Sequence, residues 1–187
     1  MTAHSVATGT AAAVSRIAVV PGVLALLPDY PSRVDPVADL RAACLEAVRW
    51  VGAGGPVRVV GDAQGARVAE ALLGAASVPV SGAGDGAAGV LVVANGTARR
   101  TEKAPGYLDD RAAGFDAALG AALRGADAEQ LTALDTALAG ELLVGHPAGW
   151  VELGSLLAQL PSGEWAADVL YDDDPFGVQY WVATLSS

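Results

Sequence analysis

Gly89-Val90-Leu91-Val92-Val93-Ala94-Asn95-Gly96 is the stretch that decides the fold. Four consecutive aliphatic residues without polar alternation suit a strand covered on both faces, as in a parallel or mixed α/β sheet. Two upstream segments also read as strands. Arg16-Ile17-Ala18-Val19-Val20 is a short buried-type strand stopped by Pro21-Gly22, and Val57 to Val60 is a second, followed by Gly61-Asp62. Between them Asp35-Pro36 carries a helix-start signature, a capping carboxylate before a proline at the first helical position. Val37, Leu40, Cys44, Ala47 and Val51 then share one face at helical spacing, and Gly52 is the stop signal. Gln64 to Leu73 reads as a helix with Val68, Leu72 and Leu73 inward, and Val78-Pro79-Val80 as an edge strand, because proline cannot donate to a ladder.

Beyond Gly96 the pattern turns helical. One helix is expected from about Asp110 to Arg124 with Phe115, Leu119 and Leu123 inward. A second starts at Asp127, with Gln130 three residues on as in a capping box, buries Leu131, Leu134, Leu138 and Leu142, and stops at Gly145. A third runs from Trp150 to Leu160. The chain closes in a hairpin: Ala166 to Tyr171, a turn through Asp172-Asp173-Asp174-Pro175, then Val178 to Thr184. The order β-α-β-α-β, helices, hairpin predicts an α/β fold in a single domain. Its central sheet is mostly parallel or mixed, flanked by helices, and its C-terminal element is a β-hairpin. The domain spans 15–187, behind a leader of residues 1–14 rich in Ala and Thr. No internal repeat is visible.

The 187 residues suffice for one core. Hydrophobic residues make up 52 % and charged residues 17 %, with mean hydropathy +0.39, which excludes wholesale disorder. Eleven Lys and Arg face 21 Asp and Glu, giving a net charge of −10 and a pI near 4.4. Such a chain lacks the basic surface that displaces counterions from phosphates, so nucleic acid is not an expected partner, and neither is an anionic membrane. The most apolar run, Ala18 to Leu27, falls short of the roughly 20 residues of a spanning helix and contains Pro21 and Gly22. One cysteine, Cys44, leaves no internal disulfide framework, and the expected compartment is the cytoplasm.

Several motifs fail a context test. Gly84-Asp85-Gly86-Ala87-Ala88-Gly89 matches G-x-G-x-x-G literally, but a dinucleotide site needs a strand before the glycines and a helix after them. Here the glycines precede a strand and read as a turn. Gly61-Asp62-Ala63-Gln64-Gly65 has the strand–loop–helix order without the Lys-Ser/Thr of a P-loop, and reads as a tight turn in which Asp62 caps the helix. No G-x-S-x-G elbow occurs, and Cys44 lies on an apolar helix face as a structural thiol. Asp172-Asp173-Asp174 could suit a hard cation, but consecutive turn residues point apart, so a solvated turn is expected. The chain holds two histidines, His4 in the leader and His146 in a loop; His146 is the one weak metal candidate, and otherwise no metal site or catalytic residue is expected.

The most unusual segment is Asn95-Gly96-Thr97-Ala98-Arg99-Arg100-Thr101-Glu102-Lys103-Ala104-Pro105-Gly106-Tyr107. It follows the third strand directly, and open α/β sheets bind ligands beyond the carboxyl ends of their strands. Lys103, the only lysine, sits with Arg99 and Arg100 in an otherwise acidic protein. One reading is a pocket for a carboxylate or phosphate, built from Asn95, Gly96, Arg99, Arg100, Lys103 and Tyr107. The other is a set of ion pairs among these charges that pins a long loop.

From Asn95 onward the chain resembles the class III extradiol ring-cleavage dioxygenases, in the form of the catalytic B-subunit (LigB-like) domain, and within that superfamily its small actinobacterial branch. The pieces that carry the resemblance are Val93-Ala94-Asn95-Gly96, Ala104-Pro105-Gly106-Tyr107, Gly114-Phe115-Asp116 opening a helix, the Leu131 to Leu142 helix, and Tyr171 through Pro175-Phe176-Gly177-Val178-Gln179-Tyr180-Trp181-Val182-Ala183. Arg16 to Leu27 stands where the family has its first strand and loop, with a weaker match.

The resemblance implies an α/β fold whose members hold ferrous iron (Fe2+) by two His and one Glu, cleave a catechol ring beside its hydroxyl pair, and use a further His as acid/base. This chain departs at each of those points. The loop Pro21 to Tyr30 has no His, the loops around Gly61 and Gly82 have none, and the acid/base position reads Gly96-Thr97-Ala98-Arg99-Arg100. The resemblance therefore implies the fold without carrying over any catalytic residue. The expectation is a module without a cofactor that binds a small anionic or aromatic ligand, a second copy of itself or a partner subunit. The alternative is an iron-dependent ring-cleavage enzyme using His146, or His4, with acidic residues.

Overall fold

The computed structural model describes residues 14–28, 35–82, 86–159 and 165–187. The element order is β1 (Arg16–Val20), a 3-10 turn (Leu24–Leu26), α1 (Ala38–Gly52), β2 (Val57–Val60), α2 (Ala63–Ala76), β3 (Gly89–Val93), α3 (Arg111–Arg124), α4 (Ala128–Thr132), α5 (Thr136–Glu141), α6 (Pro147–Gln159), β4 (Ala166–Asp173), a 3-10 turn (Pro175–Gly177) and β5 (Tyr180–Ser186). The five strands form one sheet in the order β2-β3-β1-β5-β4. β3 pairs in parallel with β1 and β2, while β5 is antiparallel to β1 and β4. The sheet is therefore evenly mixed, and the C-terminal hairpin extends it past β1.

Strand alternation sends side chains to two cores. Ala18, Val20, Leu91, Val93, Tyr180 and Val182 face α1 and α2, where Leu40, Cys44, Val48, Val51, Val68 and Leu72 complete the layer. Ile17, Val19, Val90, Val92, Trp181, Ala183 and Leu185 face the opposite side against Leu119, Leu123, Leu131, Trp150 and Leu153 from α3, α4 and α6. Every residue of β3 is buried, as its unbroken apolar run requires. Trp150 and Trp181 meet edge to face at 5.7 Å in the second core. Val14, the last residue of the expected leader, packs against that core; residues 1–13 lie outside the described residues.

Three elements differ from the sequence reading. The helix expected from Asp127 to Leu142 is two short helices. The Asp135 carboxylate accepts from the N–H groups of Ala137 and Leu138, which starts a new helix after Ala133 has closed the first. Leu131 and Leu142 are buried as the leucine spacing predicts, whereas Leu134 and Leu138, expected inward, are only half-buried on either side of the break. The edge strand at Val78–Val80 is a single parallel bridge between Val80 and Val57. Asp35 does not sit at the helix cap. Its carboxylate accepts from the Val37 N–H and pairs with Arg41 at 2.7 Å, and α1 starts at Ala38. By contrast Asp62 caps α2 through the Gly65 N–H at 2.7 Å, as expected. In the glycine motif, Gly84 and Asp85 lie outside the described residues, and the remainder leads into β3.

Candidate functional site

The carboxyl ends of β1, β2 and β3 meet at a crevice lined by Gly22, Asp62, Gln64, Asn95, Gly145 and His146. Asn95 organises it. Its Oδ1 accepts from the Gly22 N–H at 2.7 Å, its N–H donates to the Gly145 carbonyl at 2.9 Å, and its carbonyl accepts from Trp150 Nε1 at 2.9 Å. Gln64 Nε2 donates to the Gly22 carbonyl at 2.7 Å. Gly145 has to be glycine here, since a Cβ would stand 2.6 Å from Asn95 Nδ2. What is left is a cavity of about 30 Å³, the size of one water.

A ferrous centre needs several imidazole and carboxylate donors converging with free lone pairs. The crevice offers one imidazole, His146, on a residue with φ of +55°, and one carboxylate, Asp62, whose Oδ1 is engaged in capping α2. Among the described residues no group of three or more His, Cys, Asp or Glu could hold a metal ion. This donor set does not fit the iron centre that the family resemblance implies. His4 lies outside the described residues.

The segment after Asn95 is tied to three neighbours by its backbone. Gly96 and Thr97 exchange bonds with Gln179 on the approach to β5, since Gly96 N donates to Gln179 O and Gln179 N donates to Thr97 O. Ala98 N donates to Leu142 O, and Arg100 N donates to Gly177 O. The centre of this tie is Asp116 on α3, only 1 % exposed, whose carboxylate accepts from the Thr97 N–H at 2.9 Å and the Thr97 hydroxyl at 2.6 Å. Burial pushes the Asp116 carboxyl above its ordinary range, against the pull of the Thr97 bonds and of Arg100 Nη1 at 3.7 Å. Gly96 fits against this pair, because a Cβ there would stand 2.6 Å from Gln179 Cβ and 2.8 Å from Asp116 Oδ1.

The structure separates the residues grouped by sequence. Asn95 belongs to the strand-end crevice and Gly96 to the packing under Gln179. Arg99 turns to Asp109, with Nη1 at 3.5 Å from its carboxylate; Asp109 is also held by Arg111, whose hydrogen bonds bring its carboxyl down to about 2. Arg100 pairs with Asp174 at 2.9 Å and approaches Asp116. Lys103 is exposed, and Tyr107 is 75 % exposed with φ of +58°. The ion pairs that pin the loop thus reach Asp109, Asp116 and Asp174, outside the basic segment itself. The three consecutive aspartates have separate partners, but Asp172 and Asp173 close β4 where a turn was expected: Asp172 takes Gln179 Nε2 and Arg124, Asp173 takes the Asp174 N–H, and Asp174 takes Arg100.

Arg100 also borders a groove that sequence reasoning missed. Its other walls are Ala113, Asp116, Ala117 and Arg124 of α3, Asp172 of β4, and Gln179 and Trp181 leading into and along β5, around a volume of about 370 Å³. Asp116 was legible in principle: it lies on the same helical face as Ala112, Leu119 and Leu123, all buried. An aspartate on an apolar stripe signals a carboxylate with dedicated partners. Arg124, Gln179 and Trp181 carry no such local signal. In the described residues no helix is long and apolar enough to cross a membrane. Comparisons of the chain with protein-family models and with curated proteins found no match in either.

Proposed function

We propose that this chain is a class III extradiol-dioxygenase-like (LigB-like) α/β domain that works without the iron centre, as a module binding a small anion. The observation that carries the reading is the Asn95 network. At the strand-end crevice, where open α/β sheets bind their ligands, Asn95 and Gln64 are spent on holding Gly22, and the space left is about 30 Å³. The Arg100 guanidinium of the following loop borders a larger groove. The other reading, an iron-dependent ring-cleavage enzyme, draws on the shared position of His146 and Asp62 at the crevice.

One set of measurements separates them. Full-length untagged protein is loaded with ferrous iron under anaerobic conditions, desalted, analysed for metal and assayed for oxygen uptake with catechol. The expected result is substoichiometric iron and no uptake above the buffer rate; stoichiometric iron with oxygen consumed overturns the proposal. In parallel, acetate, benzoate, succinate and phosphate are screened for thermal stabilisation. A ligand at ten times its Kd stabilises the folded state by about 1.4 kcal/mol, a rise of several degrees. A midpoint that moves with none of them ends the anion-binding reading.

A further inference from the structure

We propose that the groove between α3 and the β4–β5 hairpin is a binding site for a small carboxylate, held by Arg124 and Arg100. The inference rests on the reading that the chain binds a small anion, and adds the place and the chemistry. The volume, about 370 Å³, lies within the range of roughly 300–1,000 Å³ typical of small-molecule sites.

Hydrogen-bond accounting gives the ligand its character. Each guanidinium carries about five N–H donors. Arg100 spends Nε on Asp174 and directs Nη1 toward Asp116, and Arg124 spends Nη2 on Asp172; among the described residues the remaining donors of both have no acceptor. Trp181, 2 % exposed, also borders the groove, and its covered indole N–H has no acceptor among the described residues. The two carboxylates, in contrast, are committed, which leaves Gln179 Oε1 as the side-chain acceptor of the lining without a donor among the described residues. Asp116 serves both donors of Thr97, and Asp172 serves Gln179 and Arg124. Donors exceed acceptors, so the group that completes the site brings acceptors with it.

Charge sets how many. The lining has two guanidiniums and two carboxylates, and Asp174 stands on Arg100 as a third carboxylate beside it, inside a protein of net charge −10. One negative charge is tolerable there, whereas a polyphosphate would meet strong repulsion. A carboxylate has the planar pair of oxygens that matches a guanidinium edge. Ala113 and Ala117 give its apolar body a smooth wall. Gly120 makes the arrangement possible: a Cβ there would lie 3.0 Å from Arg124 Nη1 and 3.2 Å from Trp181 Cζ2, so the absent side chain lets guanidinium and indole share one spot on α3.

The test is a titration of isotope-labelled full chain with benzoate, followed by nuclear magnetic resonance at matched ionic strength, with benzamide as the neutral control. Benzoate should shift the Trp181 indole and the Arg100 and Arg124 side-chain signals saturably, and benzamide should not. Arg124→Ala should weaken benzoate at least tenfold, and Arg124→Lys, which keeps the charge but loses the fork, should fall between. Arg49→Ala, on the exposed side of α1, should bind as the wild type does. Saturable shifts around Asn95 and His146 instead would refute the groove while leaving anion binding intact. Equal response to benzamide would refute the carboxylate assignment. Silence toward acetate, benzoate and succinate with a response to phosphate would remove this inference and leave the reading beneath it, and silence toward phosphate as well would remove both.

Discussion

Removing the Asp116 carboxylate should loosen the whole segment from Asn95 to Tyr107, because one buried side chain ties that segment to α3. Thr97 is fully buried and offers Asp116 two donors, at 2.9 Å and 2.6 Å. Asp116→Ala leaves both unpaired and deprives Arg100 of one of its two carboxylates. Each orphaned buried donor costs about 1–3 kcal/mol, and breaking a buried charged network from one side about 3–5 kcal/mol. For a domain of this size that lowers the thermal midpoint by roughly 10 °C. Asp116→Asn keeps one acceptor but turns an NH2 toward the other donor, and should cost about 1–3 kcal/mol. Thr97→Val removes the hydroxyl and keeps the N–H, and should cost about 1 kcal/mol. Urea unfolding of the single and double variants closes the cycle, where a coupling of at least about 0.5 kcal/mol is expected. Strict additivity of Thr97→Val and Asp116→Asn would refute the reasoning.

The pH dependence has a definite sign. The Asp116 carboxyl is raised in the folded state above its unfolded value of 3.8. Across the window between those two values the folded protein binds the proton more tightly, so this group's contribution to stability rises as pH falls and is lost as pH rises. The gap between wild type and Asp116→Asn should therefore widen on acidification through that window, and an opposite slope would mean that the Thr97 bonds outweigh burial.

Two further outcomes follow from packing. Gly154→Ala should destabilise by about 1–3 kcal/mol in urea unfolding, because the new Cβ would stand 2.6 Å from Thr132 Oγ1 and 2.8 Å from the Ala128 carbonyl, wedging α4 off α6. A neutral result would show that the two helices separate freely. Cys44 should resist thiol reagents in the native state at pH 8 and react fully in denaturant, since burial pushes its thiol up to about 12 and the side chain is enclosed under α1. Rapid native labelling would place it at an accessible surface.

Much of the architecture was legible because local patterning and burial coincide. The run Val90 to Val93 had to be covered on both faces, and Val37, Leu40, Cys44, Ala47 and Val51 had to share one. Asp62 stands at the N-cap and accepts from the Gly65 N–H three residues on, so its role could be read within four residues. The split of the Asp127–Leu142 helix was hidden, since the leucine spacing runs on across a short break that a single capping carboxylate creates. The site was less legible for a related reason. Arg99 and Arg100 stand side by side, but their partners Asp109, Asp116 and Asp174 lie up to 74 residues away, and spacing carries no information about them.

By itself the sequence determined that the chain folds as an α/β domain around a sheet buried on both faces, that its net charge is −10, and that its two imidazoles are too few for the two ligands and the acid/base histidine of the resembled family. These follow from composition and short-range periodicity, which are properties of the chain before it folds. Only the tertiary structure decided that the strand ends close upon Asn95, that the basic segment divides between a crevice, an ion pair and a groove, and that Arg124, Asp116 and Trp181 meet across α3 and β5. Those are consequences of sheet order: inserting β5 beside β1 brings residues 172–181 against a loop that ended some seventy positions earlier, and no local pattern encodes that encounter.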